Sequence, residues 1–173
     1  MGKSKKSSRI NVLKIVYAPI TANTKESFTC GTVNDFGAVM TITLTPTIAT
    51  APLYGRGVIT EKVTKVTGIE MQVELNKLPI EIVAEILGNE YENGVRIEKP
   101  TDEPIEIAVG FEVEATGGNK EYCWLLCGKA SPYANTYNQS TENITYSTDT
   151  ITISFVPREL DSQIRQTADT ANA

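Results

Sequence analysis

Residues 105–114 read IEIAVGFEVE. Ile105, Ile107, Val109, Phe111 and Val113 alternate with Glu106, Ala108, Gly110, Glu112 and Glu114, leaving one face apolar and the other largely acidic. A period of two sustained over ten residues predicts a strand that lays one face on a core. Gly117-Gly118-Asn119 follows as a strong hairpin turn, and then YCWLLC at 122–127. That second run is apolar on both faces, as expected of a strand between two packed layers.

The same alternation recurs on either side of this hairpin. Met40, Ile42 and Leu44 alternate with Thr41, Thr43 and Thr45. Ile69, Met71, Val73 and Leu75 alternate with Glu70, Gln72 and Glu74, and Ile151, Ile153 and Phe155 with Thr152 and Ser154. Residues 58–67 are rich in β-branched side chains and end at Gly68, which predicts a second hairpin with 69–75. Between these runs, residues 45–57 (TPTIATAPLYGRG) carry Pro46, Pro52, Gly55 and Gly57. They read as a long loop, and long loops on a rigid sheet are often interaction elements.

One helix is expected, at about 79–87. Pro79 suits its first position, Glu81 complements the positive end, and Gly88 sits where a C-terminal cap belongs. Ile82, Val83, Ile86 and Leu87 make its apolar stripe. The expectation is a mainly β fold: an antiparallel β-sandwich or partial barrel with one short flanking α-helix. Residues 1–9 read as a flexible basic arm, 10–161 as a single β domain, and 162–173 as a polar tail, of which 166–173 are expected to lack fixed structure.

The chain has 173 residues, enough for one domain with a substantial core. It carries 16 basic and 21 acidic residues, a net charge of −5, and no histidine. The absence of histidine excludes Ser-His-Asp and Cys-His nucleophile systems and every histidine-bearing metal site. Lys3, Lys5, Lys6 and Arg9 lie at the start, so the rest holds 12 basic against 21 acidic residues, or −9. Acidity concentrates between Glu61 and Glu114, and tight binding of nucleic acid through a basic surface is excluded. The start lacks the apolar stretch of a signal peptide, no run is long enough for a membrane helix, and the expected site of synthesis is the cytosol.

Candidate chemistry is sparse. Three cysteines do not make a disulfide framework. On a regular strand Cys123 and Cys127 share a face about 13 Å apart, too far to bond or to hold one metal, so they read as core. Cys30 lacks a histidine base. Glu112 and Glu114, with Glu70 and Glu74 nearby, could form a glycosidase pair, but a solvated strand face is the simpler reading. Gly55-Arg56-Gly57 is no phosphate loop, because no Lys-Ser/Thr follows. Asn138-Gln139-Ser140 and Asn143-Ile144-Thr145 fit the glycosylation pattern, which a Thr-rich chain also produces by chance.

In order and spacing, several pieces together resemble the major tail protein (tail tube protein) family of long-tailed, non-contractile bacteriophages. They are NVLKIVYAPIT at 11–21, LPIEIVAEILGNEY at 78–91, AVGFEV at 108–113 with YCWLLCGKASP at 122–132, and FVPRELD at 155–161. After Asp161 the chain departs from the Gly and aromatic ending of that family. The resemblance implies a structural virion protein, made and assembled in the host cytoplasm, whose hexameric rings stack into a tube. It implies as partners further copies of the chain, a tape-measure protein, and tail terminator and tail-tip proteins. Double-stranded DNA passes through without specific binding, and no membrane anchor, catalytic residue, cofactor or metal is implied.

On this reading, Glu70, Glu74, Glu106, Glu112 and Glu114, with Gln72, are candidate lumen-facing positions, since an acidic wall lets DNA slide. Pro46, Ile48, Pro52, Leu53, Tyr54 and Arg56, together with the basic arm, are candidate contacts between rings or subunits. One alternative is a β-sandwich adhesion or carbohydrate-binding module, with Tyr133, Tyr137 and Tyr146 as its exposed aromatics. Another is a tail-tip or baseplate ring component, which shares the fold.

Overall fold

The computed structural model describes residues 7–55, 58–135, 137, 139 and 147–172, with backbone alone for 53–55 and 58–61. In chain order the strands are β1 (Arg9–Asn23), β2 (Phe28–Cys30), β3 (Asn34–Asp35), β4 (Val39–Gly55) and β5 (Val58–Leu75). Then come helix α1 (Ile80–Leu87), β6 (Glu90–Glu92), β7 (Val95–Ile97), β8 (Glu106–Ala115), β9 (Asn119–Ala130), β10 (Asp149–Phe155) and β11 (Arg165–Asp169). The protein is mainly β, antiparallel, with one α-helix among the described residues.

Nine strands form one sheet in the order β2-β1-β8-β9-β10-β5-β4, with β3 on β1 and β11 on β9; β6 and β7 form a separate hairpin. The expected hairpin of 105–114 with 122–127 is β8–β9, turned by Gly117 and Gly118, both at positive φ. The far side of β9 is shared: β10 pairs with its residues 128–130 and β11 with 121–125. Although β1 and β4 lie far apart in the strand order, both line a single concavity. The architecture is therefore one sheet curled into a partial barrel.

Alternation decides which side faces in. Ile107 and Val109 of β8, Met71, Val73 and Leu75 of β5, and Ile151 and Ile153 of β10 are all fully buried, with Ile15 and Phe36 beside them. A side chain of this kind contributes about 1.5–3 kcal/mol when fully buried, so this layer supplies most of the cohesion. Helix α1 lays Val83, Ala84, Ile86 and Leu87 on this core. Pro79 is its N-cap rather than its first helical residue. At the other end Gly88, at φ 70°, closes the helix, and the Asn89 amide donates to Ala84 O at 2.8 Å.

Four expectations need correction. Residues 45–55 are not a loop but the second half of β4, paired with β5 as far as Gly55 opposite Val58. Pro46 and Pro52 fit because β4 is an edge strand, where a missing N–H can face solvent. Gly68 is not a turn: β5 continues through it, with a register shift beside it where Thr47 pairs with Gly68 and Ile48 with Val66. A β-carbon there would stand 2.7 Å from the carbonyl oxygen of Phe155, so glycine lets β10 approach.

The supposed C-terminal tail contains β11, whose five residues pair with β9 from Arg165 opposite Leu125 to Asp169 opposite Glu121. At the other terminus, the Ser8 amide donates to Thr116 Oγ1 at 2.9 Å, and Arg9 belongs to β1, so the body begins inside the supposed 1–9 arm. Residues 1–6 of that arm lie outside the described residues.

Candidate functional site

The first candidate surface is the outward side of the curled sheet. Because 69, 71, 73 and 75 of β5 point inward, Glu70, Gln72 and Glu74 point out; the same parity turns Glu106, Glu112 and Glu114 of β8 outward. The strand register aligns them. Thr45 lies opposite Glu70, Glu70 opposite Ser154, Ser154 opposite Lys129, and Lys129 opposite Glu106. Gln72 is flanked by Thr43 and Thr152, and Glu74 by Thr41 and Thr150. The result is a polar field of threonines and glutamates interrupted by one lysine.

Of the five glutamates, only Glu112 has an ion pair among the described residues. Glu70, Glu74 and Glu106 form none, although Lys129 lies opposite Glu106 in the register. Their contacts are neutral donors: Gln72 Nε2 to Glu70 at 3.4 Å, Thr148 Oγ1 to Glu74 at 2.9 Å, and Asn23 Nδ2 to Glu106 at 3.4 Å. Glu112 and Glu114 lie nearer the hairpin tip. There Lys120 Nζ stands 2.5 Å from Glu112 and occupies the register position opposite Glu114. The Lys120 ammonium pKa is raised, chiefly by its hydrogen bond to Glu112. The sequence alone could not single out Glu112, because Lys120 meets it only through strand pairing.

The second candidate surface is the extension of the β4–β5 hairpin. Along β4 the inward positions Ile42 and Leu44 are half-buried, but from Thr45 through Pro52 every residue is exposed. Residues 62–67 of β5 are likewise exposed, and burial begins abruptly at Gly68. The two strands therefore leave the body near Pro46, which pairs with Ile69, and continue as a bare ladder. Residues 47–55 at about 3.3 Å each give it a reach of about 30 Å.

On this arm Ile48 is 54% exposed, Val63 55% and Val66 47%. Pro52 stands opposite Lys62, Leu53 opposite Glu61 and Tyr54 opposite Ile59. Arg56 lies outside the described residues. An isolated two-stranded ribbon is marginal in water, and this one also shows apolar side chains to solvent.

Between β1 and β4 the partial barrel stays open as a concavity of about 750 Å³. Met40, Ile42 and Leu44 line one wall, Val12, Phe111 and Val113 the other. Arg9 bridges both Glu121 oxygens at its rim, at 2.6 and 2.7 Å.

The cysteines are free, but they do not share a face. Val109 pairs with Leu125 and Ile107 with Gly128, so β9 carries an extra residue that reverses its parity. Cys123 lines the open concavity, whereas Cys127 lies 3.7 Å from Glu106 and 3.4 Å from Asn23 Nδ2. Burial, with the adjacent carboxylate, pushes the Cys127 thiol up to about 11. A thiol held neutral in this way is no nucleophile at neutral pH.

Tyr17, fully buried and packed edge-to-face on Phe36, donates to Glu85 Oε2 at 2.5 Å. Burial first and this bond second raise its pKa. Both groups are raised in the folded state. Their stabilisation is complete below the unfolded pKa values and is lost as pH climbs through the folded ones. The melting temperature should hold near neutrality and fall above about pH 9. Tyr17→Phe should flatten part of that fall, as thermal melts from pH 7 to 11 would record; parallel curves would contradict the assignment.

Among the described residues no cluster of metal-ligating side chains occurs, and no helix is long and apolar enough to cross a membrane. Tyr133 leans on the core, Tyr137 is 89% exposed, and Tyr146 lies outside the described residues with the two glycosylation-like triplets, whose Gln139 alone is described. No protein-family model matches the chain, and no curated protein matches it in sequence.

Proposed function

We propose that this chain is a structural subunit of a bacteriophage tail tube, assembling with copies of itself into stacked rings through which the genome passes. The observation that carries the reading is the β4–β5 arm, a ribbon that leaves the body bearing Ile48, Val63 and Val66 exposed. Only a neighbour supplies the third layer such a ribbon needs. The sheet supports self-association as well, since β4 offers a long free edge that ring closure would cover. Pro46 and Pro52 on that edge restrict strand-to-strand pairing and leave the faces of the arm to make the contact. The phage assignment itself rests on the ordered resemblance of residues 11–161, and the tape-measure, terminator and tail-tip partners follow from it.

In such a tube Glu70, Glu74 and Glu106, none of them in an ion pair among the described residues, suit a lumen wall. A cationic wall would hold phosphates through counterion release, whereas carboxylates and threonine hydroxyls let the duplex slide. Glu112, held by Lys120, suits that task less well. Particles bearing Glu70→Lys, Glu74→Lys and Glu106→Lys together should still build tubes, yet lose infectivity by more than about tenfold through retained DNA. Normal infectivity would remove these residues from the lumen.

A further inference from the structure

Trp124 is the chain's only tryptophan and sits on the outward face of β9, opposite Gly110 of β8. The two-sided apolar reading of 122–127 hid it, because alternation holds as far as Leu125 and fails only at the bulge. A β-carbon built on Gly110 would stand 2.6, 2.7 and 2.8 Å from indole atoms Cε2, Cζ2 and Cδ2. Three ring atoms so nearly equidistant put Gly110 beneath the face of the indole. The ring therefore lies flat over Gly110, half-buried and lining the shallow dish beside it, a posture that any side chain at position 110 would prevent.

Tyr122, 38% exposed, shares this face two residues earlier. Lys14 and Glu112, a register pair of β1 and β8, flank the two aromatics, and Lys120 reaches Glu112 from the next position outward. Trp124, Tyr122, Val16 and Val33, with Lys14 and Glu112, line an open dish of about 270 Å³.

We infer that this dish is a saccharide-binding site for a gluco-configured pyranose. The flat C–H face of such a ring is the natural complement of an indole's electron-rich face. Glu112 accepts from a hydroxyl through the oxygen that Lys120 does not hold and Lys14 donates to another, so a neutral polyol uses both charged groups while its C–H surface meets Val16 and Val33. A cation would compete with Lys14 and Lys120, and an anion would meet Glu112. The dish is smaller than the roughly 300–1,000 Å³ pockets that enclose drug-sized ligands, and suits a single ring. A second copy of the chain would need about 800 Å² per partner, far more than one ring-sized surface offers. The inference is independent of the tube reading and stands or falls without it.

Because Trp124 is the sole tryptophan, its fluorescence reports on this face alone. The full chain titrated with cellotetraose, and separately with chitotetraose, should show a saturable emission change with a Kd of about 1 mM for at least one of them. Glu112→Gln preserves shape and should weaken that binding about tenfold. Exposed Tyr122→Ala should weaken it as well, with the melting temperature unchanged. No saturable change with either sugar at about 20 mM, or equal binding by both variants and the parent chain, would overturn the inference.

Discussion

Excising residues 48–66 and joining Thr47 to Thr67 through an Asn-Gly turn should leave a folded subunit that no longer polymerises. The body does not depend on what is removed: burial in β5 starts at Gly68, and Pro46 opposite Ile69 already closes the ladder. The arm's contribution lies in association. Ile48, Val63 and Val66 are about half exposed, so covering them gains about 1 kcal/mol each, or about 3 kcal/mol per arm. Its loss is about a hundredfold in each association constant, before repetition along a polymer multiplies the effect. Sedimentation across a concentration series, beside thermal melts, separates the two properties. A truncated chain that melts normally and stays monomeric fits the account. One that polymerises at the parental concentration would contradict it.

The largest effect on stability is expected at the exit of the helix. Gly88 sits at φ 70°, and a β-carbon there would lie 2.2 Å from the carbonyl oxygen of Glu103. The approach is fixed, since the Ile105 amide donates to Ile86 O at 3.1 Å and Asn89 Nδ2 to Asp102 at 2.9 Å. Gly88→Ala therefore combines about 1–2 kcal/mol of left-handed strain with displacement of packed backbone, for a total of about 3 kcal/mol or more. For a chain of this size that lowers the melting temperature by about 6–12 °C. Gly94, at φ 83° with nothing within 4 Å of a built β-carbon, isolates the conformational share. Gly94→Ala should cost only about 1–2 kcal/mol. Equal losses at the two positions would show that the contact with Glu103 carries no weight.

Wherever burial is one-sided, the strands are legible from sequence. Ile105 to Glu114 and Ile69 to Leu75 alternate because one face meets the core and the other meets water, and the pairing follows that pattern. The arm was not legible for the same reason. With both faces exposed, residues 47–52 have no inside, so Ala, Thr, Ile and Pro succeed one another without a period and read as loop. Strand β11 (RQTAD) is held by its backbone on the edge of β9, so its side chains carry no signal. Residues 90–97 are two triplets around Asn93-Gly94, a hairpin turn whose strands are too short to alternate.

Gly68 and Gly110 show a further limit. Each is a site of close approach by a partner distant in sequence, Phe155 in one case and Trp124 in the other, and composition cannot tell such a glycine from a turn. The candidate surfaces divide likewise. The acidic face follows from alternation, but the ion pair of Glu112 with Lys120 depends on the register of β8 and β9.

Electron microscopy of the purified full chain at high concentration tests the central proposal most directly. The account predicts regular tubes of stacked rings with an open central channel, running hundreds of ångströms. Isolated rings would point to a tail-tip or baseplate component, and a monodisperse monomer at every concentration would contradict self-assembly altogether.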